Sequence, residues 1–101
     1  MVLDPYKGPE QGGERPVLIL STKAFSMATR YALIAPITKT IRNWPFEVLI
    51  GAELRVTGAV LTDQTRSVDF AARHAKFLGK APAKLTIEVL ARVASIVDSE
   101  S

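Results

Sequence analysis

The chain has 101 residues, 48% hydrophobic and 23% charged, which fits one domain with one core and argues against disorder over most of its length. Having no cysteine excludes disulfides, thiolate nucleophiles and cysteine-ligated metals, and a single histidine, His74, leaves little from which to build a zinc site. No run approaches the ~20 apolar residues of a membrane helix, and the start has no basic stretch followed by an apolar one, so a cytoplasmic protein is expected.

Met1, Val2 and Leu3 read as the tail end of a strand that enters a loop at Asp4-Pro5. The loop runs through Tyr6, Lys7, Gly8 and Pro9 to Glu10, Gln11, Gly12 and Gly13. Gly12 and Gly13 take positive φ at no steric cost, so the backbone can turn tightly and leave room for a ligand. Pro16 fixes its own φ and biases Arg15 towards an extended conformation. Val17-Leu18-Ile19-Leu20 has the continuous aliphatic character of a strand buried on both faces, predicted over residues 16–20. Arg15, pinned between that strand and the glycine turn, offers a permanently charged five-donor fork suited to a phosphate. An ordinary surface arginine after a hairpin turn reads equally well.

Ser21 or Thr22 can cap a short helix over residues 23–28. Residues 31–37 read as a second buried strand, with Pro36 marking an edge or a local bulge. A polar, basic loop carrying Trp44 follows at residues 38–44. Strands are predicted at 45–50 and 58–62, the latter passing into Asp63-Gln64-Thr65-Arg66-Ser67, and a last one at 73–78 ends at Gly79. The period then changes. Leu85, Val89, Val93 and Ile96 or Val97 recur at helical spacing, joined by Leu90 and Ala94 on a neighbouring row. Pro82 suits the first turn. Lys84 opposes the macrodipole, so this helix must lean on tertiary packing, its stripe facing the core with a share left for a subunit interface. Short strands followed by one terminal helix make a mainly β fold, a small, partly open β-barrel with a helix packed against it.

Charge is uneven. The net value is +3, but from Arg15 to Lys80 ten basic residues face four acidic ones, an excess of six. A basic middle favours a polyanion as partner, RNA or DNA or an acidic peptide.

Leu3-Asp4-Pro5, Gly8, Glu10-Gln11-Gly12-Gly13 and Arg15-Pro16 leading into an aliphatic strand resemble the opening of the MazF/PemK toxins. Ala24-Phe25 and Ala28-Thr29 match that family's short helix, and Pro36-Ile37-Thr38 resembles its Pro-x-Thr strand end. Pro45-Phe46-Glu47-Val48, Gly58-Ala59-Val60-Leu61, Asp63-Gln64-Thr65-Arg66-Ser67 and Gly79 follow in the same order. The resemblance spans residues 3–97. It implies one domain over residues 1–101, an SH3-like, CcdB/PemK-type partly open barrel with one short helix after the second strand. It also implies a homodimeric, metal-independent endoribonuclease, the toxin of a toxin–antitoxin pair, acting on single-stranded RNA with no cofactor. The ribose 2′-OH would attack the adjacent phosphate to leave 2′,3′-cyclic phosphate and 5′-OH ends. The cognate antitoxin would be acidic and would occupy the RNA groove. A CcdB-type gyrase-binding toxin and a barrel that binds without cutting are the alternatives.

Arg15 and Thr38 resemble the family's catalytic pair. A guanidinium stays protonated at physiological pH, so Arg15 is expected to stabilise charge on the phosphorane rather than to move protons. Thr38 carries a hydroxyl that both donates and accepts, suited to orienting the 2′-OH or the phosphate; without the resemblance it reads as a strand-end threonine capping the next loop. Glu10, Gln11, Gly12 and Gly13 join the substrate-binding set, with Lys39, Arg42 and Trp44 tracking the RNA backbone and stacking a base; Trp44 also reads as a packing or dimer residue. Gln64 is a candidate base reader. Asp63 resembles the aspartate of a trio whose other positions fall at Leu61 and Pro9, so it is either a remnant general base or a structural group bonded to a backbone N–H or to Arg66. His74 is expected to lie in the sheet, packed or half-exposed. Relatives usually carry a longer first strand, so a shortened one exposing a sheet edge is expected here. Phe70 and Ala71 stand where a tryptophan and a basic residue are common.

Overall fold

The computed structural model describes residues 2–7, 14–51, 56–69 and 79–97, with side chains within residues 16–51, 56–69 and 80–97. In chain order the elements are β1 (Val2–Lys7), β2 (Glu14–Ile19), α1 (Lys23–Thr29), β3 (Tyr31–Thr38), β4 (Glu47–Leu49) and β5 (Ala59–Leu61). A 3-10 turn (Thr62–Gln64), β6 (Arg66–Asp69), β7 (Gly79–Lys80) and α2 (Ala83–Val97) complete them. The strands form one open, antiparallel sheet in the order β4-β5-β3-β2-β1-β7, with β6 also paired to β3. The mainly β architecture with a terminal helix is therefore as expected, and the described sheet does not close.

The sheet is organised by β3. One side pairs with β2, and the other pairs with two strands in succession: Tyr31 to Ile34 lie against β6, and Ile37 and Thr38 against β5. β5, the 3-10 turn and β6 thus run along β3 as one interrupted strand, and the interruption falls beside Ala35 and Pro36. Pro36 has no N–H to give, and here the ladder asks for none on that side. Of the edge or local bulge expected at Pro36 the edge is not found, since β3 is central, and the proline marks a change of partner.

Alternation along β2 and β3 makes both faces apolar. Leu18 and Leu20 with Ala35 and Ile37 join Val48, Val60, Ala81, Leu85 and Val89 in the main core. Val17, Ala32 and Ile34 meet Val68 on the other face. Each fully buried Leu or Val of this kind stabilises the fold by about 1.5–3 kcal/mol relative to exposure.

Three local expectations change. β1 does not stop at Leu3 but continues to Lys7, with Pro5 opposite Pro16. Opposed residues of an antiparallel pair exchange both hydrogen bonds or neither, so two prolines can face each other where neither bond is needed. β1 also pairs with β7, at Val2 and Leu3. The third predicted strand shortens to Glu47–Leu49, because Pro45 and Phe46 form the turn closed by the Glu47 N–H to the Trp44 carbonyl, 3.1 Å. Arg66–Asp69, read as the end of a loop, is a strand. The strand predicted at 73–78, and His74, Phe70 and Ala71, lie outside the described residues.

α1 starts where Thr22 accepts the Phe25 N–H at 3.1 Å and ends where Arg30 turns left-handed at φ 69°. Ser21 serves the sheet instead, accepting the Leu33 N–H at 3.0 Å. On α2, Leu85 and Val89 are buried and Val93 packs partly against the core, whereas Ile96 and Val97 are exposed. Among the described residues, α2 meets β4 and the 3-10 turn.

Candidate functional site

β3 ends at Thr38, and the geometry there is set by backbone packing. Thr38 pairs with Ala59 of β5, and Gly58, at φ 119°, presses against the Thr38 carbonyl. Any Cβ at position 58 would overlap that carbonyl oxygen and stand 3.2 Å from the Lys39 Cα, so the approach requires glycine. The Thr38 hydroxyl accepts the Thr40 N–H at 3.1 Å. That bond is the strand-end cap expected of a threonine here, but it uses an acceptor lone pair and leaves the O–H free to donate. The side chain is half-buried at the surface.

Arg15 lies on β2. Val17 is set against Pro36, Leu18 against Ala35 and Ile19 against Ile34. The pairing of β2 with β3 spans Val17–Ile19, and continued two positions in the same register it would bring Arg15 opposite Thr38. The Arg15 side chain and residues Glu10, Gln11, Gly12 and Gly13 lie outside the described residues.

β3 and β4 both run antiparallel to β5, one on each side, so they run parallel to each other. Residues 39–46 must therefore travel back along β5 before β4 can begin. Glu47 fixes the far end of this loop. It is buried, at 8% exposure, and its Oε1 accepts the backbone N–H groups of Arg42 (3.0 Å) and Asn43 (3.1 Å). Asn43 is left-handed, at φ 59°, which allows successive N–H groups to converge on one anion. Phe46 is tied down as well, since its carbonyl accepts both the N–H and the hydroxyl of buried Thr62. The loop carries Lys39, Arg42 and Trp44 outward, all exposed, with the Arg42 guanidinium 5.8 Å from the Trp44 ring centroid. That distance is within cation–π range.

Asp63 and Gln64 are exposed on the 3-10 turn that Thr62 anchors. Asp63 makes no hydrogen bond or ion pair among the described residues, so the expected bond to a backbone N–H or to Arg66 is absent there. Sequence reasoning picked the loop but passed over Glu47, Thr62 and Gly58. An acidic residue between Phe46 and Val48, at a strand start, was the available signal for the first. A cavity of about 570 Å³ opens between β4 and α2, lined by Leu49, Gly51, Pro82 and Leu85 among others. None of the predicted site residues lines it. The described site thus offers a donor hydroxyl, two exposed cations and one aromatic face, an inventory for holding a phosphodiester and a base.

Known proteins resemble the chain over most of its length. A family profile described as PemK-like, MazF-like toxin of type II toxin–antitoxin system matches residues 1–97. Endoribonuclease PemK of Escherichia coli is 41% identical over 99 residues, covering 94% of this chain and 74% of that protein. Endoribonuclease toxin MazF of Escherichia coli is 38% identical over 85 residues, covering 83% of this chain and 76% of that protein. Among solved structures, a MazE–MazF crystal structure from Deinococcus radiodurans superposes with a TM-score of 0.89 at 36% identity, over 95% of this chain and 90% of that one.

Proposed function

The chain belongs to the PemK-like, MazF-like toxins of type II toxin–antitoxin systems, and on that premise we propose that it is a sequence-specific endoribonuclease cutting single-stranded RNA without a metal ion. What supports the proposal is the register of β2 against β3, Val17 against Pro36, which continued two positions would bring Arg15 opposite Thr38. Opposed positions of an antiparallel pair share a face of the sheet. One cation and one hydroxyl on that face are what an internal phosphoryl transfer asks of a protein.

The substrate supplies its own nucleophile. The 2′-oxygen attacks the adjacent phosphorus, the bond to O5′ breaks, the 2′-OH loses its proton and the leaving O5′ gains one. Arg15 grips the non-bridging oxygens as negative charge builds on the phosphorane. Thr38 donates its free O–H to the phosphate or the attacking hydroxyl, while the Thr40 N–H bonded to its Oγ1 keeps the side chain oriented. Arg42 and Lys39 contact flanking phosphates, Trp44 stacks a base, and Gln64 reads one. Glu10, Gln11, Gly12, Gly13 and Asp63 are assigned to substrate binding as well, on the family's motif.

The protein acts as a homodimer in the cytoplasm and is held inactive by a small acidic antitoxin. The exposed apolar residues Ile87, Leu90 and Val97 of α2 support a subunit contact, and the excess of basic residues between Arg15 and Lys80 supports an acidic partner. No described helix is long and apolar enough to cross a membrane. The test is incubation of purified protein with a long RNA in EDTA. Fragments bearing 2′,3′-cyclic phosphate and 5′-OH ends are expected, and sequencing the 5′-OH ends gives the recognised word. RNA left intact overturns the proposal.

A further inference from the structure

Beneath the exposed loop of residues 39–46 lies a buried carboxylate with no role in the chemistry above. Glu47 is 8% exposed, and burying an ionised carboxylate is costly unless donors compensate it. Two donors reach it, the Arg42 and Asn43 N–H groups on Oε1, and both come from the loop. Oε2 is buried too and has no hydrogen-bond partner among the described residues, and the side chain lines the cavity between β4 and α2 together with Lys84 and Arg92. The arrangement is reciprocal. The carboxylate needs the loop in one conformation, and the left-handed turn at Asn43 needs an acceptor to collect its N–H groups. The Glu47 N–H adds a second tie, to the Trp44 carbonyl, and Phe46 is held by Thr62. Arg42 and Trp44 are therefore displayed from a braced backbone although their side chains stand in solvent.

We propose that Glu47 is a positioning residue for RNA: it braces the loop so that the Arg42–Trp44 pair meets the strand already formed. This rests on the endoribonuclease function proposed above. The brace acts on binding, because preorganised groups bind without first losing conformational freedom, and it leaves the transfer step at Thr38 largely untouched.

Two variants and one measurement on the unaltered protein test it. Glu47→Gln keeps an acceptor oxygen, and Glu47→Leu keeps the bulk but accepts nothing. Trp44 is the only tryptophan in the chain, so its emission and acrylamide quenching report on the loop directly. With a single-stranded RNA oligonucleotide carrying the parent's cleavage site, Glu47→Gln is expected to match the parent in Trp44 quenching and in KM. Glu47→Leu should show a more quenchable Trp44 and a KM raised about tenfold, with kcat within about twofold. A folded Leu variant with parental quenching and parental KM overturns the proposal. So does a Gln variant as impaired as the Leu one.

Should the Leu variant fail to fold, hydrogen exchange in the parent decides: the Arg42 and Asn43 amides are expected to exchange more slowly than the Ile41 amide in the same exposed loop. Equal exchange at all three overturns the brace. A parent protein that leaves the oligonucleotide intact overturns the endoribonuclease function, while exchange and quenching, both read without RNA, still uphold or overturn the brace.

Discussion

Gly58 and Thr38 touch through backbone alone: the space a Cβ would take at position 58 is occupied by the Thr38 carbonyl. Neither side can yield by rotating a side chain. Gly58→Ala should therefore lower stability by roughly 2–4 kcal/mol, combining strain at φ 119° with overpacking. Urea denaturation with an unchanged m-value is the measurement. Because the displaced atoms belong to Thr38, RNA cleavage should also fall under conditions where the variant is folded. A variant of parental stability would mean that the contact is not as close as described.

Arg15→Ala should lower kcat by about 10²–10³-fold, the effect of removing one preorganised donor from developing anionic charge. Circular dichroism should remain parental. Arg15→Lys should restore little, since an ammonium lacks the two-pronged donor fork. Cleavage by the alanine variant at the parent rate would refute the assigned chemistry.

Thr38→Ser preserves the hydroxyl and should stay within severalfold of the parent. Thr38→Val preserves the shape but removes both the O–H and the acceptor of the Thr40 N–H, and should lose roughly 10²-fold in kcat. Equal rates for the Ser and Val variants would reduce Thr38 to a strand-end cap.

Arg42 and Trp44 should separate by their salt dependence. Arg42→Gln removes one phosphate contact, so the slope of log affinity for single-stranded RNA against log salt should flatten by about 0.7. Trp44→Leu should weaken binding about tenfold at every salt concentration, with the slope unchanged. Filter binding across a salt series distinguishes the two. Identical slopes for Arg42→Gln and the parent would place that guanidinium away from the RNA backbone.

Leu18 is fully buried in the main core, and Met27 on α1 is 74% exposed. Leu18→Ala should cost roughly 2–5 kcal/mol and Met27→Ala under about 0.5 kcal/mol. Thermal melts of the two variants side by side provide the check.

Much of this molecule is legible along the chain, because some physics is local. A strand buried on both faces must be aliphatic at every position, which is why Val17 to Leu20 declared itself. The Thr22 cap and the 3.6-residue spacing of Leu85, Val89 and Val93 did the same. Arg66–Asp69 did not, since a segment with one buried apolar residue becomes a strand through its hydrogen bonds to Tyr31–Ile34, which are remote in sequence. The site divides along the same line. Arg15, Thr38, Arg42 and Trp44 were found as residue types in a pattern, whereas their arrangement came from pairing. The register that would bring position 15 opposite position 38 exists only when β2 lies beside β3. Likewise Glu47 is one acid between Phe46 and Val48 until folding removes it from water, and a carboxylate without water must find N–H groups. Local sequence carries periodicity and caps, while register, parallel return loops and buried charge depend on segments that meet only in three dimensions.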